Sequence, residues 1–169
     1  MKTNYIINMI NEFVGPYAFL SNFYEFNPPI RVDYFRNDCF GVGSITVNSS
    51  EVAYQAGKSI NPKMYESLTP MQSKRKGRRE TICVAKQQVW DEQYKLPLMR
   101  RILKLKFDSN HPELQKALLD TGSEELIEGN YWHDNYWGVC SCGECKGGEN
   151  NLGKLLMEIR EELKNERSK

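Results

Sequence analysis

Two distant segments of the chain combine carboxylates with aromatic rings, and the first of them adds a lysine. In this segment Glu51 and Lys58 are seven residues apart, which is nearly two turns of an α-helix and puts both on one face. Tyr54 and Gln55 fall on the same face. A stripe with an acid, a phenol, an amide and a cation can line a pocket and perform acid–base chemistry on a bound sugar.

A purely structural role for Glu51 is also consistent with the spacing. Asn48 followed by Glu51 fits a capping box, in which the glutamate holds the start of the helix and contributes about 1 kcal/mol. Lys58, near the end of the helix, would then only complement the helix dipole. Both interpretations stay open on spacing alone.

The second segment is a loop in which acids and large aromatic side chains crowd together. Trp132, Asp134, Tyr136 and Trp137 lie within six residues, and Glu128 is just upstream. Because loops seldom expose two tryptophans without a reason, Trp137 is a candidate to stack a flat base and Asp134 to activate water or steady positive charge. The alternative is that both tryptophans fill the core and Asp134 caps a turn.

A cysteine cluster follows this loop with the pattern C-x-C-x-x-C, formed by Cys140, Cys142 and Cys145. Three thiolates at this spacing are candidate ligands of a structural zinc ion, which takes four. His133 is the proposed fourth ligand, and Cys39 and Cys83 are the other cysteines that could serve. The alternative is a set of reduced thiols in a glycine-rich loop.

Residues 74–79 form a basic run with five cations in six positions. Such a run can hold the phosphates of a nucleotide or of nucleic acid, or can simply be solvated surface. Arg78 and Arg79 are the preferred phosphate candidates, ahead of Lys74 and Arg75.

The overall composition indicates one cytoplasmic domain. The 169 residues are 40% hydrophobic and 27% charged, with a net charge of +1, so bulk charge does not argue for nucleic acid. No apolar run approaches the ~20 residues of a membrane helix, and the N-terminus lacks the pattern of a signal peptide. In a reducing cytosol the five cysteines are expected to be thiols or metal ligands.

The patterns predict an α+β fold that is mostly helical, with a small antiparallel β element near the N-terminus. The two strands are predicted at 30–35 and 40–47, with turn chemistry at 36–38. Helices are predicted at 49–58, 86–107, 112–119 and 152–164, with shorter turns after Asn61 and Thr69. Pro97 is expected to kink or divide the second helix, and residues 165–169 are expected to fray.

Three motifs in order resemble the NADAR superfamily, also called YbiA-like. They are GPYAFLSNFY at 15–24, NSSEVAYQAGK at 48–58, and a third that runs from LIE at 126–128 through DNYWG at 134–138 to NLGKLLMEIR at 151–160. The resemblance covers about residues 13–163, and the combination is specific although each motif alone is weak. It supports a single domain over residues 1–169.

The resemblance implies N-glycosidase activity that needs no metal or other cofactor. Members of the family cleave the ribosylamine bond of early riboflavin intermediates and release ribose 5-phosphate, while others remove ADP-ribose from guanine bases in nucleic acid. The implied partners are therefore a small ribose-phosphate or ADP-ribose substrate, or ADP-ribosylated nucleic acid. The cysteine insert between Gly138 and Asn151 departs from the better-known bacterial enzymes and leaves the choice of substrate open.

By motif position, the resemblance assigns the pocket acid to Glu51, with Lys58, Asp134 and Trp137 as catalytic and stacking partners around one shared cavity. With Tyr54 from the helical stripe, the further substrate-binding candidates are Phe19, Ser21, Asn22, Trp90, Asn151 and Gly153. Val89 stands before Trp90 where an acid is common in the family. The motifs do not separate the roles of Glu51 and Asp134.

Two other classes of function remain open from the sequence. The chain could bind ADP-ribose-like nucleotides without cleaving them, or it could be a small zinc-bearing nucleic-acid protein that uses its cysteines and basic run. Release of free base or ribose phosphate separates an enzyme from a binder. Metal content and a steep salt dependence of binding identify the nucleic-acid protein.

Overall fold

In the computed structural model the described residues are 9–34, 43–80, 84–145 and 147–168, without the side chains of 84–86. The described helices are α1 (Ser50–Ala56), α2 (Pro70–Gly77), α3 (Val84–Val89), α4 (Lys95–Lys106), α5 (Pro112–Asp120) and α6 (Asn151–Arg167). The described strands are β1 (Met9–Ile10), β2 (Glu25–Tyr34), β3 (Gly43–Ser49), β4 (Glu125–Leu126), β5 (Gly129–Asn130) and β6 (Val139–Cys140). The predicted α+β class, with far more helix than strand, is confirmed.

The chain divides into two compact units by its contacts. Residues 22–112 form one, called here the central unit, and the chain before and after it forms the other, called the terminal unit. The prediction of one domain over the whole chain stays a prediction. No helix in the described ranges has the length and apolar character needed to cross a membrane.

An antiparallel ribbon of β2 and β3 opens the central unit, as predicted. Ile30 pairs with Val47 and Val32 with Ile45. All four side chains are buried, because every second residue of a strand points to the same face of the sheet. The first strand begins earlier than predicted, at Glu25, with an irregularity in register before Ile30. The predicted turn at 36–38 lies outside the described residues.

Helix α2 begins as the sequence predicts. Thr69 is the N-cap, Pro70 is the first helical residue, and Gln72 completes a capping box by accepting from the Thr69 N–H at 2.9 Å. The predicted turn after Asn61 is also confirmed, as a 3-10 helix at Pro62–Tyr65. The basic run at 74–79 begins inside α2 and continues just beyond its end.

A π-helical turn at Trp90–Tyr94 separates α3 from α4, so the predicted helix is divided, but Leu96 and Pro97 lie inside α4 rather than at the break. The proline ring of Pro97 would clash with the carbonyl of Gln93, four residues earlier, in a regular α-helix. Gln93 lies inside the wider π turn, where Lys95 N–H donates to Trp90 O. Side chains of α4 and the residue after it form the core of this unit: Leu98, Met99, Ile102, Leu103 and Phe107.

Helix α6 is the main element of the terminal unit. Its predicted apolar face is buried, namely Leu152, Leu155, Leu156, Ile159 and Leu163. The expectation that residues 165–169 fray is wrong for the first three, because the helix continues to Arg167, whose guanidinium donates to Gln115 Oε1 at 3.1 Å. Strand β4 pairs in parallel with β1, and β5 with β6, so this unit holds two small sheets.

Candidate active site

The start of α1 is fixed by tertiary contacts within the central unit. Ser49 is the N-cap, since its Oγ accepts from the Val52 N–H at 3.4 Å and donates to the Asn22 carbonyl at 3.1 Å. The Glu51 N–H donates to the same carbonyl at 2.9 Å. The capping-box interpretation of Asn48 and Glu51 is therefore wrong, because the residue three positions after the actual cap is Val52.

The Glu51 carboxylate is buried, with the residue only 5% exposed. Its Oε1 accepts from Gln55 Nε2 at 2.8 Å, one turn further along α1. Within the described residues, Gln55 Oε1, Asn22 Oδ1 and Ser50 Oγ are buried with no hydrogen-bond partner. Because buried polar atoms are nearly always satisfied, these three atoms are candidates for contacts with water or with a ligand.

Lys58 lies half-buried at the other end of this helix. Its Nζ is 5.1 Å from the centre of the Tyr54 ring and 5.7 Å from that of Trp90. Burial lowers the pKa of Lys58, and the nearby Glu51 carboxylate opposes that fall. The acid, phenol and amide of the predicted stripe thus lie on α1, but the helix ends at Ala56 rather than at the predicted residue 58, so Lys58 follows two residues after its end.

Two buried rings form an apolar wall beside Lys58. The Tyr54 and Trp90 ring centres are 5.3 Å apart and the rings are inclined by 55°. Trp90 begins the π turn, so the irregular helix presents its indole to α1. A cation held over aromatic faces is stabilised as a charge, which partly offsets the cost of its burial.

The basic run occupies two faces of the chain around α2. Lys74 and Arg78 lie close enough to Lys58 for their charges to lower its pKa further. Lys76 and Arg79, in contrast, line an open cavity of about 520 Å³, together with Gln72, Arg75 and Glu80. The structure therefore separates the two preferred phosphate candidates, since Arg78 is near the Lys58 site and Arg79 is in the cavity.

In the terminal unit, Asp134 organises a tight turn. Its Oδ1 accepts from the Trp137 N–H at 2.9 Å, and its own N–H donates to Asn130 Oδ1 at 3.1 Å. The turn role that the sequence left open is thus present, although it occupies one of two carboxylate oxygens. The alternative that both tryptophans fill the core is wrong for Trp132, which is 50% exposed, whereas Trp137 is half-buried.

Asn151 and Gly153 brace the same region from the start of α6. Asn151 Nδ2 donates to the Tyr136 carbonyl at 2.9 Å. Gly153 is buried, and a Cβ there would lie 2.1 Å from the Leu126 carbonyl oxygen, so only glycine fits. Phe19 is the second-last residue of a 3-10 helix at Gly15–Leu20, and Ser21 is the C-cap of that helix.

The cysteine cluster comes together as predicted. One ligand atom from each of Cys140, Cys142, Cys145 and His133 lies within 4.8 Å of all the others, which makes the group a possible metal site. A hydrogen bond from the Cys145 N–H is the main cause that lowers the pKa of Cys142 to about 6, while Cys142 raises that of Cys145 to about 11. The other two candidate ligands, at positions 39 and 83, lie outside the described residues.

Two features of the site escaped the sequence analysis. Gln55 holds the Glu51 carboxylate, which the spacing of four residues could have suggested. Gly77 leaves room for the Gln55 amide, because it has no Cβ. The glycine at the end of α2 was the sequence signal for this close contact. Glu51 and Lys58 belong to the central unit and Asp134 and Trp137 to the terminal unit, so their predicted shared cavity stays a prediction.

Known proteins resemble this chain over most of its length. The family model for the NADAR domain matches residues 11–164. An N-glycosidase of Nostoc punctiforme is 33% identical over 157 residues, which cover 89% of this chain and 88% of the relative. The N-glycosidase YbiA of Escherichia coli strain K12 is 36% identical over 151 residues, which cover 87% of this chain and 82% of the relative.

A partial relative and a solved structure complete the comparison. A chloroplastic riboflavin biosynthesis protein of Zea mays, PYRR, is 42% identical over 72 residues, or 43% of this chain and 11% of that protein. The NMR structure of Escherichia coli YbiA matches with a TM-score of 0.67 at 29% identity and covers 97% of this chain and 92% of that chain. The chain therefore belongs to the NADAR family, and it is an enzyme of the N-glycosidase type that its relatives represent.

Proposed function

We propose that this enzyme hydrolyses the bond between a base nitrogen and the ribose of a ribose-phosphate or ADP-ribose adduct. The observation that carries the proposal is the buried Glu51 carboxylate near the start of α1, with Lys58 just beyond the end of that helix, where burial lowers the lysine pKa beside the Tyr54 and Trp90 rings. Such a cleavage needs a carboxylate, a proton donor and a flat apolar wall, and all three belong to the central unit.

The chemistry divides between the two ends of α1. Cleavage of the C1–N bond builds positive charge on C1 and on the ring oxygen of ribose, and negative charge on the leaving nitrogen. Glu51 stabilises the first charge and accepts a proton from the water whose oxygen bonds to C1. Lys58 donates a proton to the leaving nitrogen, because a lowered pKa makes an ammonium group a stronger acid. The products are the free base and the free sugar phosphate.

Glu51 is preferred over Asp134 as the acid that faces C1. The Glu51 carboxylate is buried and held by an amide, while Asp134 uses one oxygen to hold the Trp137 N–H. The family resemblance alone assigns Asp134 and Trp137 to the reaction, as a second carboxylate and a stacking ring. Separate variants test that assignment.

Cations near Lys58 fit a substrate that carries phosphate. Lys74 and Arg78 are close enough to influence the charge of Lys58, and Lys74 Nζ also lies 5.0 Å from the centre of the Phe23 ring. One or two phosphate groups of the sugar would neutralise this cluster. The cavity around Arg79 would be free to take the phosphates of an oligonucleotide.

The decisive experiment compares turnover of two substrates by the full chain and by Glu51→Gln. Riboflavin-pathway ribosylamine intermediates and guanine oligonucleotides that carry ADP-ribose are assayed side by side for released base and released sugar phosphate. We expect Glu51→Gln to lose activity by about 10²- to 10⁴-fold without a lower melting temperature, because the amide keeps the size of the side chain. The matched control is Glu92→Gln, which replaces an exposed acid in the same unit and should keep full activity.

A structural variant provides the converse control. Ser49→Ala removes the N-cap of α1 and should cost about 1 kcal/mol of stability with a much smaller loss of rate than Glu51→Gln. If Glu51→Gln instead unfolds the protein with no specific loss of rate, the carboxylate is structural and the proposal fails. Tight binding of either substrate without any release of base would identify a binding module.

We propose further that the glycosidic chemistry uses no cofactor and that a metal on the cysteine cluster is structural. Three thiolates and an imidazole fill a tetrahedral ion and leave no position for a reactive water. The thiols fit a reducing cytoplasm, which is the proposed location of the enzyme.

A further inference from the structure

We propose that Cys140, Cys142, Cys145 and His133 bind one zinc ion, and that this ion fixes the loop of residues 133–140. The metal site itself does not depend on the proposed reaction. The effect of the metal on turnover does depend on the proposed reaction, because the loop contains Asp134 and the turn that it forms with Trp137.

The four side chains lie within a few tenths of an ångström of the spacing of a closed tetrahedral site where their distances are known. The Cys142 and Cys145 sulfurs are 3.2 Å apart, and His133 Nδ1 lies 3.0 Å from Cys145 Sγ and 3.4 Å from Cys142 Sγ. The edges of a tetrahedron around zinc with sulfur and nitrogen ligands are roughly 3.5–3.8 Å long. All four ligand atoms lie within 4.8 Å of one another, so small side-chain adjustments are enough to coordinate an ion.

The backbone around the cysteines is arranged to support thiolates. The Cys142 N–H donates to Cys140 Sγ at 3.4 Å, and the Cys145 N–H donates to Cys142 Sγ at 3.2 Å. Cys140 and Gly147 pair through two backbone hydrogen bonds of 2.8 and 3.0 Å, which close the knuckle behind the ligands. His133 has a φ of 67°, a conformation that few residues other than glycine adopt. The unusual backbone of His133 places its imidazole beside the three sulfurs. Binding of a metal by all four groups explains this arrangement.

A disulfide between Cys142 and Cys145 is the competing explanation of the short sulfur contact. It would account for two of the four side chains and leave the convergence of His133 and Cys140 without a purpose. Zinc uses all four, and Cys₃His is an established structural zinc set. The observations therefore favour the metal.

The position of the ligands in the chain gives the ion a role in the loop. His133 immediately precedes Asp134, and Cys140 closes β6 three residues after Trp137. A bond from the metal to each end of this segment reduces the conformations open to the turn, as other closed loops do. Loss of zinc should therefore loosen the turn while the rest of the terminal unit stays folded on α6.

The first test is the metal content of the full chain, purified in reducing buffer without a histidine tag. We expect one zinc per chain by elemental mass spectrometry, and strong thiolate-to-cobalt charge-transfer bands with tetrahedral d–d bands after Co²⁺ substitution. Cys142→Ser and His133→Asn should each reduce zinc retention at least tenfold after dialysis against a weak chelator. Cys39→Ser and Cys83→Ser are matched controls and should keep their zinc.

The contrary outcomes are equally specific. A chain purified without reductant that holds no metal, and in which Cys142 and Cys145 resist alkylation until a reductant is added, contains the disulfide and overturns the proposal. Metal that survives Cys142→Ser but is lost in Cys39→Ser or Cys83→Ser overturns the ligand set.

The role in the loop is measured by hydrogen exchange of residues 133–140 before and after removal of zinc. Faster exchange confined to this segment is expected, and unchanged exchange overturns the role. A protein that holds zinc on these four ligands but cleaves neither substrate leaves this inference standing and counts against the proposed reaction.

Discussion

The Gln55 amide donates to the Glu51 carboxylate at 2.8 Å, and the two side chains are each only 5% exposed. The amide oxygen of Gln55 has no hydrogen-bond partner among the described residues. A buried amide that satisfies a carboxylate with its nitrogen but leaves its oxygen unsatisfied is suited to hold the acid in place until a ligand supplies the missing donor. This contact connects the chemistry of Glu51 to the packing of α1 against α2.

Gly77→Ala tests whether that contact matters for catalysis. A Cβ at position 77 would lie 2.0 Å from Gln55 Oε1 and 2.8 Å from its Cδ, so the amide must move away from Glu51. We expect roughly a tenfold loss of turnover, since one charge-assisted hydrogen bond is worth about 1.5 kcal/mol. The free energy of unfolding should also fall, by roughly 1 kcal/mol, because the buried Glu51 carboxylate loses its donor and the helix preference of alanine offsets only part of that loss.

A double-mutant cycle separates this effect from general strain. Once Gln55→Ala has removed the amide, adding Gly77→Ala should cause little further loss of rate. Steady-state kinetics of the four proteins provide the coupling. If the two losses simply multiply, Gly77 acts through something other than Gln55.

Asp134 has a turn role in the structure and a catalytic role by resemblance, and two substitutions separate them. Asparagine keeps an Oδ1 that can accept from the Trp137 N–H, so Asp134→Asn should preserve the turn but lose turnover by about 10²-fold. Asp134→Ala removes both functions and should also cost roughly 1 kcal/mol of stability. Melting temperature and rate are measured together, and a fully active Asp134→Asn would limit Asp134 to the turn.

The sequence predicted the helices and the β-ribbon well where a local signal was sufficient. The Thr69 cap with Pro70 and the apolar spacing of α6 each specify an element without help from elsewhere. The cap of α1 was assigned wrongly because Asn48 and Ser49 are both good N-cap residues. The Asn22 carbonyl, 27 residues before Ser49, selects between them, and that contact exists only in the fold.

The grouping of the candidate side chains was predictable to a similar degree. The spacing of Glu51 and Lys58 identified the stripe, and the pattern of cysteines identified the cluster. The distribution of the basic run was not predictable, because it depends on the direction in which α2 packs. Arg78 and Arg79 are neighbours in sequence and yet serve two different faces.

This division predicts different kinetic consequences for the two arginines. Arg78→Gln should raise KM for a small phosphate-bearing substrate by roughly ten- to hundredfold, since a charge-assisted contact to phosphate is lost. Arg79→Gln should change that KM by less than about twofold, because Arg79 lines the cavity and is not among the charges that act on Lys58. With the oligonucleotide substrate, a larger effect of Arg79→Gln than of Arg78→Gln would identify nucleic acid as the preferred substrate. Equal effects in both assays would contradict the two-face arrangement.

Lys58 should control the pH dependence of both activity and stability. Burial lowers its pKa from 10.5, so the folded protein disfavours the charged form relative to the unfolded chain. The resulting destabilisation is complete below the folded pKa and disappears as the pH rises to 10.5 and above. We therefore expect Lys58→Met to melt at the same or a higher temperature at pH 7, with an advantage that vanishes at alkaline pH. The melting curves of the two proteins across this range provide the check.

The rate of the same variants identifies the working form of Lys58. If the ammonium donates the proton, wild-type turnover falls as the pH rises through the lowered pKa, and Lys58→Met loses about 10²- to 10⁴-fold at neutral pH. Lys58→Arg keeps the positive charge but has no proton to give in this range, so it should lack that alkaline limb. If turnover instead rises with pH, and borohydride traps the sugar on Lys58, the neutral amine acts as a nucleophile through a Schiff base and the proton-donor role is wrong.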